Sequence, residues 1–199
     1  LPRTIPLNCI QDMLAYTYKQ HFIACTKYQK EVALRNIVVL ELLFSTGMRV
    51  SEISNLKISA INFVDNTICI FGKGSKERIM CINDNLSKTI SNYLTVRSRK
   101  TDYLLVNRLG NRLSEQSIRY MVNDYANAVG APLHITPHMF RHTFATELHN
   151  EDVDIRYIQQ FLGHSSIATT QIYTHISTSK TREILESKHP RNKMNLSFF

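Results

Sequence analysis

His138 and Arg141 form the clearest candidate for phosphate chemistry in the sequence. Thr136 followed by Pro137 predicts the start of a helix, with a capping hydroxyl and a proline at the first helical position. Residues three apart share one face of a helix, so His138 and Arg141 are expected side by side near its amino end. Free backbone amides and the helix dipole stabilise an anion there. The pair therefore predicts a phosphate-binding site.

A zinc site is the competing interpretation, because His134, His138 and His142 are spaced four residues apart. Histidines at this spacing on one helix can form a row of metal ligands. Pro137 starts the helix, however, so His134 precedes it and the three side chains form no continuous row. We expect no metal and no cofactor.

Two further basic residues lie in tight connections. Arg49 follows a buried helix, where it could equally cap the next helix and pair with Glu52. Lys73 stands between Gly72 and Gly74 in a predicted hairpin turn, where the glycines let the backbone bend and leave the lysine free to extend. Taken alone, each has an ordinary structural explanation.

The apolar pattern predicts an α+β fold that is mostly helical, with a small antiparallel sheet of about three strands. Residues 58–63 lead into the alternating run 67–71, which a glycine-rich turn joins to a strand over 77–82. Asp154 is a predicted helix cap, and Gly163 is a predicted helix end. Helices are expected over residues 7–27, 31–45, 51–56, 87–97, 114–129, 137–149, 155–162 and 181–188.

The balance of charge points to an anionic partner. The chain has 199 residues, with 24 Lys and Arg against 16 Asp and Glu, and a net charge of +8. Residues 1–100 carry 14 basic and 7 acidic side chains, whereas residues 101–199 carry 10 and 9. No run approaches the ~18 apolar residues of a membrane helix. The four cysteines form no C-x-x-C pair, which favours reduced thiols and a cytoplasmic protein.

Five segments between residues 46 and 175 resemble, in this order and spacing, the catalytic domain of the tyrosine recombinases. This family comprises site-specific DNA recombinases and phage integrases. The segments are Thr-Gly-Met-Arg-Val-Ser-Glu around Arg49, Gly-Lys-Gly-Ser-Lys-Glu-Arg around Lys73, His-Met-Phe-Arg-His-Thr-Phe-Ala-Thr from His138, Leu-Gly-His ending at His164, and Tyr-Thr-His starting at Tyr173. The resemblance implies the recombinase fold and a bacterial, phage or mobile-element origin.

The resemblance also implies a covalent mechanism. Tyr173 would attack a DNA phosphate and hold the strand as a 3′-phosphotyrosine, while a 5′ hydroxyl leaves. Arg49 and Arg141 would grip the nonbridging oxygens without a metal or ATP.

Proton transfers and phosphate contacts are assigned by the same resemblance. Lys73 would be the general acid for the leaving oxygen, and His138 would lie near the attacking tyrosine as proton acceptor and phosphate ligand. His164 would donate a further hydrogen bond to the phosphate. Glu52 would orient its neighbours through hydrogen bonds.

The remaining residues of these segments have plainer explanations. We expect them to pack, cap helices or contact the DNA backbone; they are His142, His175, Lys76 and Arg78. Other basic residues are candidates for DNA phosphate contacts, although a solvated surface explains many of them equally well. These are Lys19, Lys27, Lys30, Lys57, Lys88, Arg97, Arg99 and Lys100.

The domain organisation follows from the family pattern. We expect a linker remnant over residues 1–6, the catalytic domain over 7–190 and a C-terminal tail over 191–199. Relatives usually carry a helical domain ahead of the catalytic one, and we expect it to be absent from this chain. The expected partner is double-stranded DNA, bound by a homotetramer on synapsed sites when full length. This chain is expected to be a monomer in isolation, without membrane contact.

Two other functions use similar features. A type IB topoisomerase shares the arginine, lysine, histidine and tyrosine chemistry but relaxes supercoils. A non-catalytic DNA-binding regulator with this fold would be expected to lack Arg49, Arg141 or Tyr173, and all three are present. A nuclease is disfavoured, because no carboxylate cluster suggests a metal pair.

Overall fold

A computed structural model describes residues 4–71, 77–98, 101–163, 178–194 and 196. The described part is mostly helical and contains a three-stranded antiparallel sheet, as predicted. Short 3₁₀ turns cover Ile58–Ala60 and Pro190–Lys193. The helices are α1 (Leu7–Ile23), α2 (Lys27–Thr46), α3 (Val50–Ser54), α4 (Asp84–Val96), α5 (Glu115–Ala128), α6 (Pro137–Asn150), α7 (Ile155–Leu162) and α8 (Thr178–Lys188). The strands are β1 (Ile61–Asn62), β2 (Thr67–Phe71) and β3 (Glu77–Cys81).

Helix α2 is the centre of the core and packs against α1, α4 and α6. Every residue from Ile37 to Thr46 is buried, so the helix has no solvent face in its second half. It begins four residues earlier than predicted. The reason is a capping box in which the Thr26 side chain accepts from the Gln29 amide and Gln29 reaches back to Thr26.

The sheet has the strand order β1-β2-β3, and its two faces differ in burial. Ile68 pairs with Met80 and Ile70 pairs with Arg78 on the inner face. The apolar side chains of Phe71 and Ile79 belong to the outer face and are exposed. Helices α7 and α8 both pack against β3. A charged residue therefore takes an inward position on β3 while an isoleucine points out.

The predicted starts of α6 and α7 are confirmed. Helix α6 begins at Pro137, but within the described ranges the Thr136 side chain makes no capping hydrogen bond. The Thr136 carbonyl accepts from the Met139 amide instead. Helix α7 starts after Asp154, whose side chain caps the Arg156 amide, and it ends at Gly163 in the left-handed conformation.

Both ends of the described chain join the same core. Ile5 is buried, and its amide donates to the Thr143 hydroxyl at 2.8 Å. Arg191 is buried beside α2, so residues on both sides of the range 7–190 pack with the domain. Among the residues described, no helix is both long and apolar enough to cross a bilayer.

Glu41 on α2 is a fully buried carboxylate that holds the C-terminal segment. The Arg191 guanidinium donates to it from Nε at 2.9 Å and from Nη2 at 2.7 Å. Tyr18 and Asn85 also donate to this carboxylate. Burial and the Glu41 charge raise the pKa of Tyr18 to about 12, so its phenol stays a neutral donor.

We predict that Glu41→Gln lowers the free energy of unfolding by about 3–5 kcal/mol, because it leaves the Arg191 charge buried without its counter-ion. Urea denaturation at pH 7 measures this loss. The control is Arg119→Gln, which breaks an exposed ion pair with Glu115 and should cost less than about 1 kcal/mol. Losses of similar size in the two variants would contradict the assignment.

Candidate active site

The turn after α2 places Arg49. Gly47 ends the helix with φ at +60°, and a Cβ there would lie 2.7 Å from the Phe144 ring. Both facts require glycine at this position. Arg49 then precedes α3, with its amide donating to Glu52 Oε2 at 2.8 Å and its Nη1 donating to Glu52 Oε1 at 3.0 Å. The pairing with Glu52 suggested by the sequence is thus present, and the Arg49 side chain remains 44% exposed.

Arg141 on α6 is buried and joins two loops. Its Nη1 donates to the Gly47 carbonyl at 2.8 Å, and its Nη2 donates to the Leu162 carbonyl at 2.6 Å. A guanidinium has five N–H donors, so these two bonds fix the plane of the group and leave donors for a ligand. The turn after α2 and the end of α7 therefore meet on Arg141.

Arg78 on β3 enters the same cluster from the sheet. Its Nη1 and Nη2 donate to the two carboxylate oxygens of Glu52 at 2.9 and 2.8 Å. Its Nε donates to the Phe161 carbonyl at 3.0 Å. The sequence pattern predicts only packing, capping or a DNA backbone contact for Arg78, yet this residue connects α3, β3 and α7.

The cluster carries an excess of positive charge. In the part of the chain that the structure describes, Arg49 and Arg78 bind one carboxylate, Glu52, which also interacts electrostatically with Arg141. Burial first, and then the charges of Arg49 and Arg78, lower the pKa of Arg141 to about 10, while Glu52 opposes them. Burial raises the pKa of Glu52, but hydrogen bonds from Arg78 and Arg49 outweigh burial and hold that pKa below its usual range. An anion such as a phosphodiester would relieve the repulsion.

The other predicted site residues are placed only in part. His138 is exposed in the first turn of α6, and Arg141 follows one turn later. Lys73, His164 and Tyr173 lie outside the described residues. Of the predicted catalytic residues that the structure describes, Arg49 and Arg141 therefore share one electrostatic cluster, together with Glu52.

His134, His138 and His142, the residues of the zinc alternative, all lie within the described part of the chain. Helix α6 starts at Pro137, so His134 precedes the helix that carries His138 and His142. Within the described ranges, no group of three His, Cys, Asp or Glu side chains is placed to hold a metal ion.

One of the candidate DNA contacts, Arg97, has a structural role. The Arg97 guanidinium donates to the backbone carbonyls of Thr101, Tyr103 and Leu104 and holds the loop after α4. These bonds engage three of the five guanidinium donors.

The fold is that of the tyrosine recombinase catalytic domains. It is similar to XerA recombinase, with a TM-score of 0.71 and 32% identity over 92% of this chain and 62% of that chain. It is also similar to XerH site-specific recombinase bound to palindromic difH substrate in a post-cleavage complex. That TM-score is 0.72 with 28% identity, over 94% of this chain and 53% of that chain.

The sequence matches the Phage integrase family over residues 5–180, and the chain belongs to this family. A tyrosine recombinase of Agathobacter rectalis is 52% identical over 195 residues, which cover 96% of this chain and 64% of the relative. Tyrosine recombinase XerC of Staphylococcus aureus is 42% identical over 165 residues, which cover 81% of this chain and 55% of the relative. The chain thus spans less than two thirds of the length of these relatives.

We predict that Gly47→Ala costs about 2–5 kcal/mol of unfolding free energy, because left-handed strain adds to a clash with the buried Phe144 ring. The matched control is Gly130→Ala. Gly130 has φ at +67° but open space around the added methyl, so only the strain of about 1–2 kcal/mol applies. Chemical denaturation of both variants measures the difference, and equal losses would show that the contact with Phe144 is unimportant.

Proposed function

We propose that this chain is the catalytic domain of a site-specific DNA recombinase, which cleaves and rejoins DNA strands through a 3′-phosphotyrosine. The observation that carries the proposal is the convergence of Arg49 and Arg141 in a positively charged cluster, within a chain of the Phage integrase family. Phosphoryl transfer depends mainly on positioning and on neutralising charge at the phosphate oxygens. Two guanidiniums held in place by hydrogen bonds can position the phosphate and neutralise its charge.

The proposed nucleophile is Tyr173. Its phenolic oxygen attacks the phosphorus, the bond from phosphorus to the 5′ oxygen breaks, and that oxygen leaves with the electron pair and takes up a proton. The phosphotyrosine conserves the energy of the broken bond, so a second 5′ hydroxyl can reverse the step without ATP. No metal is needed in this scheme.

The clamp consists of Arg49 and Arg141. Arg141 is held by the Gly47 and Leu162 carbonyls, so little side-chain entropy remains to be lost when a phosphate binds. Arg49 is anchored through Glu52 and keeps an exposed guanidinium. Bidentate contacts to nonbridging oxygens strengthen as charge builds in the transition state.

We assign proton transfer to other basic residues of the family segments. The phenol has an ordinary pKa near ~10, so a proton acceptor is required, and we assign this role to His138. Lys73 gives a proton to the leaving 5′ oxygen. His164 donates a hydrogen bond to the phosphate, and Glu52 orients Arg49.

The proposed partner is double-stranded DNA, bound in the cytoplasm by a homotetramer on paired sites in the full-length protein. The XerH complex with its difH substrate supports DNA as the partner. Topoisomerase and regulator functions are not favoured, because the relatives are named recombinases.

The decisive experiment traps the covalent intermediate. The chain is incubated with nicked duplexes whose bases around the nick are randomised, so that a short leaving strand dissociates and the adduct accumulates. Adducts are separated on a denaturing gel, sequenced for DNA preference and mapped by peptide mass spectrometry. We expect attachment at Tyr173, loss of the adduct in Tyr173→Phe, and no effect of Tyr120→Phe, which alters an exposed tyrosine on α5. Attachment elsewhere, or DNA binding without any adduct, would contradict the proposal.

A second test concerns the clamp. We expect Arg141→Lys to slow adduct formation about 100-fold or more, because a point charge cannot replace the two-pronged guanidinium. DNA affinity, measured by fluorescence anisotropy, should change only a few-fold because many other contacts remain. Arg119→Lys, an exposed change on α5, is the control. If affinity and rate fall by the same factor in Arg141→Lys, Arg141 contributes to DNA binding and not specifically to stabilising the transition state.

A further inference from the structure

We propose that Arg78 is a positioning residue for strand cleavage, which neutralises Glu52 and thereby leaves Arg49 available to the DNA phosphate. This inference rests on the proposed recombinase function. It assigns a task to a residue whose position in the sequence suggested only packing, capping or a DNA backbone contact.

The two arginines bound to Glu52 differ in exposure. The Glu52 side chain is 6% exposed and the Arg78 side chain 12%, whereas that of Arg49 is 44% exposed. Arg78 meets both carboxylate oxygens with a fork of two N–H groups, the strongest geometry for this pair. Arg49 gives only one guanidinium bond. Arg78 is therefore the internal counter-ion, and Arg49 faces outward.

The charges explain why the internal counter-ion matters. With Arg78 present, three guanidiniums and one carboxylate give the cluster a net charge of +2. Without Arg78, Arg49 is the partner that remains bonded to the buried Glu52 among the described residues, and an unpaired buried carboxylate is costly. Arg49 would then pair more tightly with Glu52, and its guanidinium would be less available to the DNA phosphate.

Arg78 also fixes the end of α7. The last carbonyls of a helix lack partners within it. Here Arg78 donates to the Phe161 carbonyl, and Arg141 donates to the Leu162 carbonyl. Two arginines of the cluster therefore bind consecutive carbonyls at the end of α7. A Cβ on Gly163 would lie 3.0 Å from Arg78 Cδ and Nη1, so the guanidinium packs on this glycine. The residue after Gly163 is His164, a proposed phosphate ligand.

Arg78 lies on the inner face of the sheet, which favours a positioning role over a direct contact with the DNA backbone. Arg78 pairs with Ile70, and both belong to the face on which Ile68 and Met80 are buried. A side chain that binds the DNA backbone needs solvent access, as Arg49 has. Arg78 acts on the phosphate only through Glu52 and the end of α7.

The test is a charge-rescue experiment. We expect Arg78→Met to slow adduct formation on the randomised nicked duplexes about 10- to 100-fold, with DNA affinity within about 3-fold of the parent. Adding Glu52→Gln removes the carboxylate that captures Arg49, so the double variant should recover about 10-fold or more of that loss. The control is Arg35→Met, since Arg35 is half-buried and binds the Val106 carbonyl away from the cluster. It should leave the rate unchanged.

A role in packing alone predicts that Arg78→Met loses stability and that Glu52→Gln restores it by removing the unpaired buried carboxylate, while the adduct rate per folded molecule and the reactivity of Arg49 stay unchanged. That result, or an unchanged rate in Arg78→Met, would overturn the proposal. Labelling of Arg49 by phenylglyoxal, quantified by peptide mass spectrometry, provides a readout without DNA. Labelling should slow in Arg78→Met and recover in the double variant even if the parent chain forms no adduct, which would refute the recombinase function alone.

Discussion

The structure depends on one buried carboxylate that two arginines share. Glu52 receives the amide and guanidinium of Arg49 from its own helix and the fork of Arg78 from the sheet. A buried ion pair is stable only when its hydrogen bonds are complete, so α3 and β3 cannot separate without exposing uncompensated charge. Because Arg78 also binds the last turn of α7, a single anion aligns three elements that are distant in the sequence.

Helix α2 supplies the rigid base for this arrangement. Its last turn is buried on all sides and ends at Gly47, where the Phe144 ring leaves no room for a side chain. The Gly47 carbonyl then points to Arg141. At the middle of the same helix, Glu41 holds Arg191 and with it the segment after α8. Core packing and the arginine cluster are therefore parts of one construction, in which each buried charge is matched by hydrogen bonds.

The sequence predicted local features well and distant pairings poorly. Helix α7 between Asp154 and Gly163 follows from capping chemistry, and strand β2 follows from alternation. The bond between Glu41 and Arg191 spans 150 residues, and no periodicity identifies such a partner. Arg78 did leave a signal, because it alternates with Met80 and so belongs to the inner face. The roles of Lys73, His164 and Tyr173 stay predictions from the family resemblance.

The total of 24 Lys and Arg residues overstates the number of basic side chains that can meet DNA. Buried or half-buried arginines bind carboxylates and backbone carbonyls within the domain, as Arg78, Arg97 and Arg191 do. Most of their donors are engaged within the domain, so we expect them to contribute little to counter-ion release when DNA binds. The salt dependence of affinity counts phosphates neutralised at the surface. It should therefore reflect the exposed lysines and arginines rather than the total basic content. Arg78, by contrast, serves to keep the outward guanidinium of Arg49 in place.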